Sequence, residues 1–83
     1  MYYVYVIQNE EKEFYLGYTA NLQKRLADHN GGGTKSTKDH RWELVYYEAY
    51  RNERYAYERE QTLKKNRRMK TFLLNRVKES LSY

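Results

Sequence analysis

The chain has 83 residues, which allows one small domain with a small core. It contains no cysteine, which excludes a disulfide framework, a thiolate metal site and a cysteine nucleophile and makes a reducing cytoplasm the expected location. With 16 Lys and Arg against 11 Asp and Glu, the net charge is +5, which favours a polyanionic partner such as nucleic acid. No apolar run is long enough to span a bilayer and the N-terminus does not resemble a signal peptide, so we expect neither membrane insertion nor export.

The N-terminal part of the chain predicts a β-hairpin. The residues from Tyr2 to Gln8 are β-branched and aromatic and show no preferred face, which is typical of a strand covered on both sides. A polar turn follows from Asn9 to Lys12, and the residues from Glu13 to Thr19 alternate between two faces as in a second strand. One face of this strand carries Phe14, Leu16 and Tyr18, and the other carries Tyr15 and Gly17.

A short amphipathic helix is predicted from Ala20 to Asn30, because Leu22 and Leu26 stand four residues apart. Its N-cap is expected at Thr19 or Asn21. The Gly-rich, basic stretch from Gly31 to Arg41 follows and is predicted to be a loop.

The C-terminal half predicts one more strand and two helices. The residues from Trp42 to Tyr50 alternate, with Trp42, Leu44 and Tyr46 opposite Val45, Tyr47 and Ala49. Asn52 is expected to cap a helix that runs to about Arg67, and a last helix is expected at residues 70–81. The order β-β-α-β-α-α indicates an α/β (α+β) domain, residues 1–83, with a small three-stranded antiparallel sheet flanked by helices.

Glu60 breaks the apolar pattern of the helix after Asn52. It lies close to the inward stripe that Ala56 and Leu63 define, whereas Glu58 points away from it. Burial of a carboxylate requires compensation, so the alternatives are a metal ion, a salt bridge to an arginine, or a helix face misassigned by one position.

The preceding helix carries two more candidate functional residues. Arg25 and His29 are four residues apart and share one face beside the leucine stripe, at the rim of the core. A guanidinium binds phosphate with two hydrogen bonds, and an imidazole exchanges protons near neutral pH. The alternative is that both are surface residues of a solvated helix. Tyr5 and Tyr15 lie on adjacent strands and are expected to be neighbours across the hairpin.

The order of these residues resembles the GIY-YIG nuclease superfamily over about residues 2–66. The matching motifs are Tyr3-Val4-Tyr5, Tyr15-Leu16-Gly17, Arg25 with His29, and Ala56-x-x-x-Glu60. The chain is most similar to the small stand-alone bacterial domains, whose Gly-rich basic stretch and Leu-Val-Tyr strand are matched by residues 31–38 and 44–46. The first motif lacks its leading glycine, and no asparagine clearly matches the one often found beside the family's metal-binding glutamate.

The resemblance implies roles for five residues. Tyr5 and Tyr15 would be the motif tyrosines, Arg25 the catalytic arginine, His29 the active-site histidine and Glu60 the ligand of one divalent cation, Mg²⁺ or Mn²⁺. The cation would bind the scissile phosphate and stabilise the leaving oxygen, and Arg25 would neutralise charge that develops on the other phosphate oxygens. Either Tyr5 or His29 would move the proton of the attacking water.

The resulting hypothesis is a metal-dependent endonuclease that hydrolyses phosphodiester bonds in DNA, selective for structure or of low sequence specificity. RNA is a possible substrate, and neither a membrane partner nor a small-molecule cofactor is expected. Phosphate contacts are expected from the basic loop and tail, which contain Lys35, Lys38, Arg41, Lys64, Lys65, Arg67, Arg68 and Lys70. The alternatives are a non-catalytic nucleic-acid-binding module with the same fold and, less favoured, a protein-interaction domain with exposed tyrosines.

Overall fold

The computed structural model describes residues 1–32 and 37–82 and contains the predicted order of elements. These are β1 (Tyr2–Asn9), β2 (Phe14–Thr19), α1 (Leu22–Asn30), β3 (Trp42–Tyr50), α2 (Glu53–Lys65) and α3 (Arg67–Leu81). The three strands form one antiparallel sheet in the order β2-β1-β3. The predicted α+β fold is therefore confirmed.

The central strand β1 is buried on both faces, as its sequence predicts. Val4 and Val6 point into one hydrophobic cluster, which α2 and α3 cover. Tyr5 and Ile7 point into a second cluster on the opposite face, where leucines of α1 pack. The sheet thus separates a larger apolar core from a second layer that contains polar side chains. Among the described residues, no helix has the length and apolar character needed to cross a bilayer.

Strand β3 departs from the predicted alternation. In its pairing with β1, Val6 lies opposite Tyr46 and Ile7 lies opposite Leu44, so Val45 is the extra residue of a β-bulge. Val45 and Tyr46 both pack against the cluster under α2 and α3. The prediction that Tyr46 shares a face with Leu44 is wrong, because the bulge moves every later residue of the strand to the other face.

Asparagine side chains begin the first two helices. Asn21 accepts a hydrogen bond from the backbone N–H of Lys24 at 3.1 Å and caps α1, which decides between the two predicted caps. Asn52 accepts from the backbone N–H of Arg54 at 2.9 Å and caps α2, as predicted. Both helices therefore start at fixed residues.

The boundary between α2 and α3 lies earlier than predicted. Helix α2 ends at Lys65, and Asn66 accepts a hydrogen bond from the backbone N–H of Met69 at 3.1 Å and caps α3. The prediction that α2 extends to Arg67 and that α3 begins at Lys70 is therefore wrong by two to three residues. The cap, rather than a break in helix propensity, sets this boundary.

A half-buried carboxylate joins β3 to α2. Glu48 accepts two hydrogen bonds from the guanidinium of Arg59, at 2.9 and 3.0 Å, and one each from the hydroxyls of Tyr46 and Tyr50. Burial alone would raise the pKa of Glu48, but these hydrogen bonds outweigh burial and hold its pKa below the usual 4.5. The network fixes the rotation of α2, and this rotation turns Glu60 inward.

We predict that Glu48→Gln lowers the free energy of unfolding at pH 7 by about 1.5–3 kcal/mol, the usual contribution of hydrogen bonds to a charged group. Because the pKa of Glu48 is lower in the folded state, its contribution is complete above the unfolded pKa and is lost as the pH falls through the folded pKa. The difference between variant and wild type should therefore shrink below about pH 4. Urea unfolding across this pH range measures it, and a difference independent of pH would contradict the role of the charge.

Candidate active site

The candidate site is built around a buried hydrogen bond between a strand and a helix. The hydroxyl of Tyr5 on β1 lies 2.8 Å from Nε2 of His29 near the end of α1. Only 3% of Tyr5 and 1% of His29 is exposed, so this polar pair belongs to the interior of the domain. Of the two sequence-based alternatives for His29, the solvated surface residue is wrong.

Both members of this pair are neutral at pH 7. Burial, reinforced by the nearby Tyr15, raises the pKa of Tyr5 well above its usual value of 10.0, and the positive charge of Arg25 only partly opposes this. Burial, and then Arg25, lowers the pKa of His29 below 6.5. The pair is therefore a neutral phenol and a neutral imidazole that share one proton position.

Thr37 provides the second hydrogen-bond partner of His29, and the sequence did not predict this contact. Its hydroxyl lies 2.8 Å from Nδ1 of His29, and its backbone carbonyl accepts a hydrogen bond from the indole N–H of Trp42 at 2.8 Å. Thr37 is fully buried. Both ring nitrogens of His29 are therefore engaged, which fixes the orientation of the ring. Thr37 lies in the Gly-rich stretch predicted to be a loop, where no periodic pattern marks a buried residue.

Arg25 lies one helical turn before His29 and is half-buried, at the predicted rim of the core. Its charge acts on both members of the buried pair, since it lowers the pKa of Tyr5 and of His29. The charge of Arg25 thus favours the deprotonated form of each group, the phenolate of Tyr5 and the neutral imidazole of His29. The guanidinium therefore supplies the positive potential that this part of the site offers to an anion.

Glu60 faces inward from α2, as the helical pattern predicts. Its residue surface is 7% exposed, and the neighbouring stripe residues Ala56 and Leu63 are fully buried. One carboxylate oxygen accepts a hydrogen bond from the amide of Gln61 at 2.8 Å, and the other lies 3.3 Å from Nζ of Lys64. The expected salt bridge to an arginine is wrong, because the cation is a lysine one turn later on the same helix.

The charge of Glu60 reaches the tyrosine layer. It contributes to the raised pKa of Tyr5 and also to that of Tyr18, whose pKa rises to about 12 chiefly through a hydrogen bond to Glu53. Glu58, by contrast, is exposed and pairs with Arg54 on the outer side of α2. Of Glu58 and Glu60, only Glu60 therefore shares an electrostatic environment with Tyr5.

The donor set at Glu60 fits a hard divalent cation. A carboxylate offers about four lone-pair positions, and among residues 1–32 and 37–82 its polar contacts are the Gln61 amide and the Lys64 ammonium. The ammonium shows that the position already accommodates positive charge. Mg²⁺ and Mn²⁺ prefer oxygen ligands and are commonly held by one or two carboxylates together with substrate phosphates. A single glutamate is sufficient for that mode of binding.

A second group of metal-ligating side chains lies on the β1–β2 hairpin. Ligand atoms of Glu11, Glu13 and His40 lie within 4.8 Å of one another. Nδ1 of His40 is hydrogen-bonded to Glu10 at 2.6 Å, which raises the pKa of His40. No spacing motif in the sequence marks this cluster, since His40 is far from Glu11 and Glu13 in the chain.

The basic residues predicted to contact phosphates fall into two exposed segments. Lys38 and Arg41 lie between α1 and β3, and the other described ones lie at the end of α2 and the start of α3, namely Lys64, Lys65, Arg67, Arg68 and the half-buried Lys70. Lys35 lies outside the described residues. Lys64 links the second segment to the site through its ion pair with Glu60.

Comparison with known proteins identifies the family of this chain. Residues 1–75 match the family model described as the GIY-YIG catalytic domain. The chain belongs to the GIY-YIG family. Membership supports a nuclease-type activity and a nucleic-acid substrate. No solved structure matches the chain.

The similar curated proteins are bacterial members that carry the name "UPF0213 protein". One from Clostridium perfringens (strain 13 / Type A) is 37% identical over 84 residues, covering 95% of this chain and 90% of the relative. One from Staphylococcus haemolyticus is 40% identical over 65 residues, covering 76% and 79%. One from Pediococcus acidilactici is 39% identical over 71 residues, covering 81% and 72%.

The second GIY-YIG motif packs around the buried pair. The rings of Tyr15 and His29 pack edge to face, with their centroids 5.0 Å apart. In the sheet Tyr15 lies opposite Ile7, so it is the diagonal neighbour of Tyr5 across the hairpin. Tyr18 lies on the other face of the sheet and donates a hydrogen bond to Glu53 at 2.5 Å. Of the two tyrosines in this strand, Tyr15 is therefore the one that reaches the histidine.

The glycine of this motif leaves room for Tyr5. Gly17 lies directly opposite Tyr5 in the sheet, and a Cβ atom on it would lie 2.3 Å from the tyrosine hydroxyl. The clash would involve ring atoms as well, at 2.4 and 2.8 Å. Any larger residue would force the ring of Tyr5 away from His29.

We predict that Gly17→Ala destabilises the domain by about 1–3 kcal/mol, the usual effect of overpacking a well-packed site. The clash is specific to the ring of Tyr5, so the same substitution in a Tyr5→Leu background should have a much smaller effect. Thermal and urea unfolding of the four proteins measure the coupling. Equal losses in the two backgrounds would show that Gly17 is required for a reason unrelated to Tyr5.

Proposed function

We propose that this protein is an endonuclease that hydrolyses phosphodiester bonds in DNA and uses one divalent cation, Mg²⁺ or Mn²⁺, held by Glu60. The observation that carries the proposal is the buried hydrogen bond between Tyr5 and His29 beside Arg25. A neutral proton-transfer pair next to a fixed positive charge can move the proton of an attacking water and stabilise the charge that develops on a phosphodiester. Membership of the GIY-YIG family supports the same chemistry.

In the proposed mechanism Tyr5 and His29 act together on the attacking water. The raised pKa of Tyr5 keeps its phenol protonated, so it accepts the proton of the water as its own proton passes to Nε2 of His29. This step requires the tautomer of His29 that carries its proton on Nδ1, which Thr37 stabilises by accepting that hydrogen bond. The edge of Tyr15 keeps the imidazole ring in place.

Arg25 and Glu60 act on the phosphate. The planar guanidinium of Arg25 binds two non-bridging oxygens and stabilises the negative charge that develops on them. When bound, the divalent cation supplies Lewis-acid stabilisation of the scissile phosphate and of the leaving oxygen. Glu60 would hold that cation, and Lys64, which pairs with Glu60 in this structure, would then release the carboxylate.

The substrate is proposed to be DNA, with RNA possible, and selection by structure or with low sequence specificity. The exposed basic segments offer phosphate contacts, which position a strand without reading bases. Residues 1–83 are proposed to form one nuclease domain, and the cytoplasm is its proposed location. The direct test is incubation with labelled duplex, branched and single-stranded DNA and RNA in the presence of Mg²⁺, Mn²⁺ or a chelator. We expect cleavage that the chelator stops; binding without cleavage under all conditions would instead favour the non-catalytic module.

We predict that Glu60→Gln lowers the cleavage rate about 100-fold or more, because the neutral amide holds a divalent cation poorly. Binding of DNA and the melting temperature should change little. The matched control is Glu58→Gln on the same helix, which removes an exposed carboxylate and should leave the rate unchanged. Single-turnover cleavage of both variants measures the difference. Equal rates in the two variants would remove Glu60 from the proposed cation site.

We predict that Arg25→Lys lowers the single-turnover rate about 100-fold, equivalent to about 2.7 kcal/mol, because lysine keeps the charge but lacks the planar fork. The control is Lys24→Gln on the neighbouring residue, which removes an exposed charge and should weaken binding slightly without changing the rate of the bound complex. Melting curves accompany both measurements. A wild-type rate for Arg25→Lys would exclude the proposed role, and a large drop in its melting temperature would make Arg25 a packing residue.

A further inference from the structure

A groove between α3 and the neighbouring elements is not used by the proposed reaction. It has a volume of about 660 Å³ and lies between α3, α2 and β3, lined by Tyr46, Arg59, Arg68, Phe72 and Arg76 among others. We call it the α3 groove. Its α3 wall carries Phe72, which at 72% is the most exposed of the large hydrophobic side chains that the structure describes.

Arginines stand on both sides of this phenylalanine. Arg68, Phe72 and Arg76 follow one another at intervals of four residues, so they lie on one side of α3 and are separated by about 6 Å along its axis. The result is an aromatic side chain between two cations on one helix face. The three side chains therefore form a row along the helix axis.

The α3 groove has a positive charge that this domain does not neutralise. Arg59 is held by Glu48. Within residues 1–32 and 37–82, neither Arg68 nor Arg76 forms an ion pair with a carboxylate, and no acidic side chain lines the groove. An occupant that carries negative charge and flat apolar groups would match both features.

We propose that the α3 groove binds unpaired nucleotides of the nucleic-acid substrate, with a base stacked on Phe72 and phosphates on Arg68 and Arg76. Aromatic side chains stack on the bases of single strands, and arginines track the backbone. A paired base in a duplex does not offer its face in this way. The inference rests on the proposed function, because it assigns the groove to the same nucleic-acid substrate. Arg68 of the groove belongs to the basic segment at the α2–α3 boundary, which Lys64 links to Glu60 through its ion pair.

The test is the affinity for a labelled single-stranded oligonucleotide and for a duplex of the same length, measured in chelator so that no cleavage occurs. Phe72→Ala should weaken single-strand binding about 5- to 150-fold, which corresponds to the usual 1–3 kcal/mol of one base stack. Duplex binding should change less than about twofold. The control is Tyr55→Ala, which removes an exposed aromatic side chain of α2 outside the groove and should leave single-strand binding unchanged.

Two further variants separate stacking from apolar docking. Phe72→Trp should keep single-strand binding, and Phe72→Leu, which keeps an apolar surface but has no aromatic face, should lose it.

The arginine variants test the phosphate contacts. Arg68→Gln and Arg76→Gln should each reduce the slope of log affinity against log salt by about 0.7, whereas Arg51→Gln outside the groove should not.

The proposal is overturned if Phe72→Leu binds single strands as tightly as the wild type, or if Phe72→Ala changes only the oligomeric state, which would identify a second copy of the chain as the occupant. These results are independent of catalysis. A protein that cleaves no substrate but needs Phe72 to bind single strands would contradict the proposed endonuclease and support the α3 groove as a nucleotide site. A protein that cleaves its substrate but binds single strands equally well without Phe72 would support the endonuclease and contradict the α3 groove as a nucleotide site.

Discussion

The hydrogen bond between Tyr5 and His29 is the constraint on which the arrangement of this domain depends. These two polar groups, together with Thr37, are buried beside a cluster of aromatic and aliphatic side chains. Leaving one of them unpaired would cost about 1–3 kcal/mol, a large share of the roughly 5–15 kcal/mol that stabilises a typical domain. The sequence therefore fixes both partners: Gly17 makes space for the tyrosine, and Thr37 orients the histidine.

The two faces of the sheet carry different groups of side chains, the apolar core on one face and the buried Tyr5–His29 pair on the other. On one face, α2 and α3 cover the valines of β1 and form the apolar core. On the other face, the shorter α1 brings His29 against the tyrosines. Glu60 belongs to the helix on the core side, yet its charge acts on Tyr5. A cation held by Glu60 would consequently be attached to a helix that packs on the apolar core, which favours a preorganised site.

The ion pair between Glu60 and Lys64 gives the proposed cation site a resting state. A buried carboxylate needs compensation, and an ammonium on a flexible stem provides it without a fixed geometry. The side chain of Lys64 is 44% exposed, so it is free to turn toward solvent when a divalent cation or a phosphate arrives. Its positive charge would then lie beside the basic segment at the α2–α3 boundary, where a nucleic-acid backbone is expected.

Most of the fold could be predicted from the sequence, because strand alternation and the stripe of Ala56 and Leu63 are local patterns. The exceptions have non-local or side-chain causes. The bulge at Val45 arises only when β3 pairs with β1, and Asn66 interrupts a run of good helix formers through a single cap. Lys64 as the partner of Glu60 follows the spacing rule for helical ion pairs and could have been found.

The candidate site was less predictable. Helical spacing identified Arg25, His29 and Glu60 as candidates, but only the resemblance of short motifs joined them to Tyr5 in one site. The contact between His29 and Thr37 crosses a Gly-rich stretch with no regular pattern, so the sequence offers no signal for it. The cluster on the hairpin was missed for the same reason: Glu11 and His40 meet only in the folded chain.

The most direct test of the central claim, that a divalent cation binds at Glu60 beside the Tyr5–His29 pair, is titration of the isotopically labelled protein with Mn²⁺. Paramagnetic broadening of amide resonances reports which residues lie near the ion. The account predicts that the resonances of Glu60 and Gln61 broaden at the lowest Mn²⁺ concentration and that Glu60→Gln removes this effect. Broadening that begins at Glu11, Glu13 and His40 and is unchanged in Glu60→Gln would place the cation at the hairpin and contradict the account.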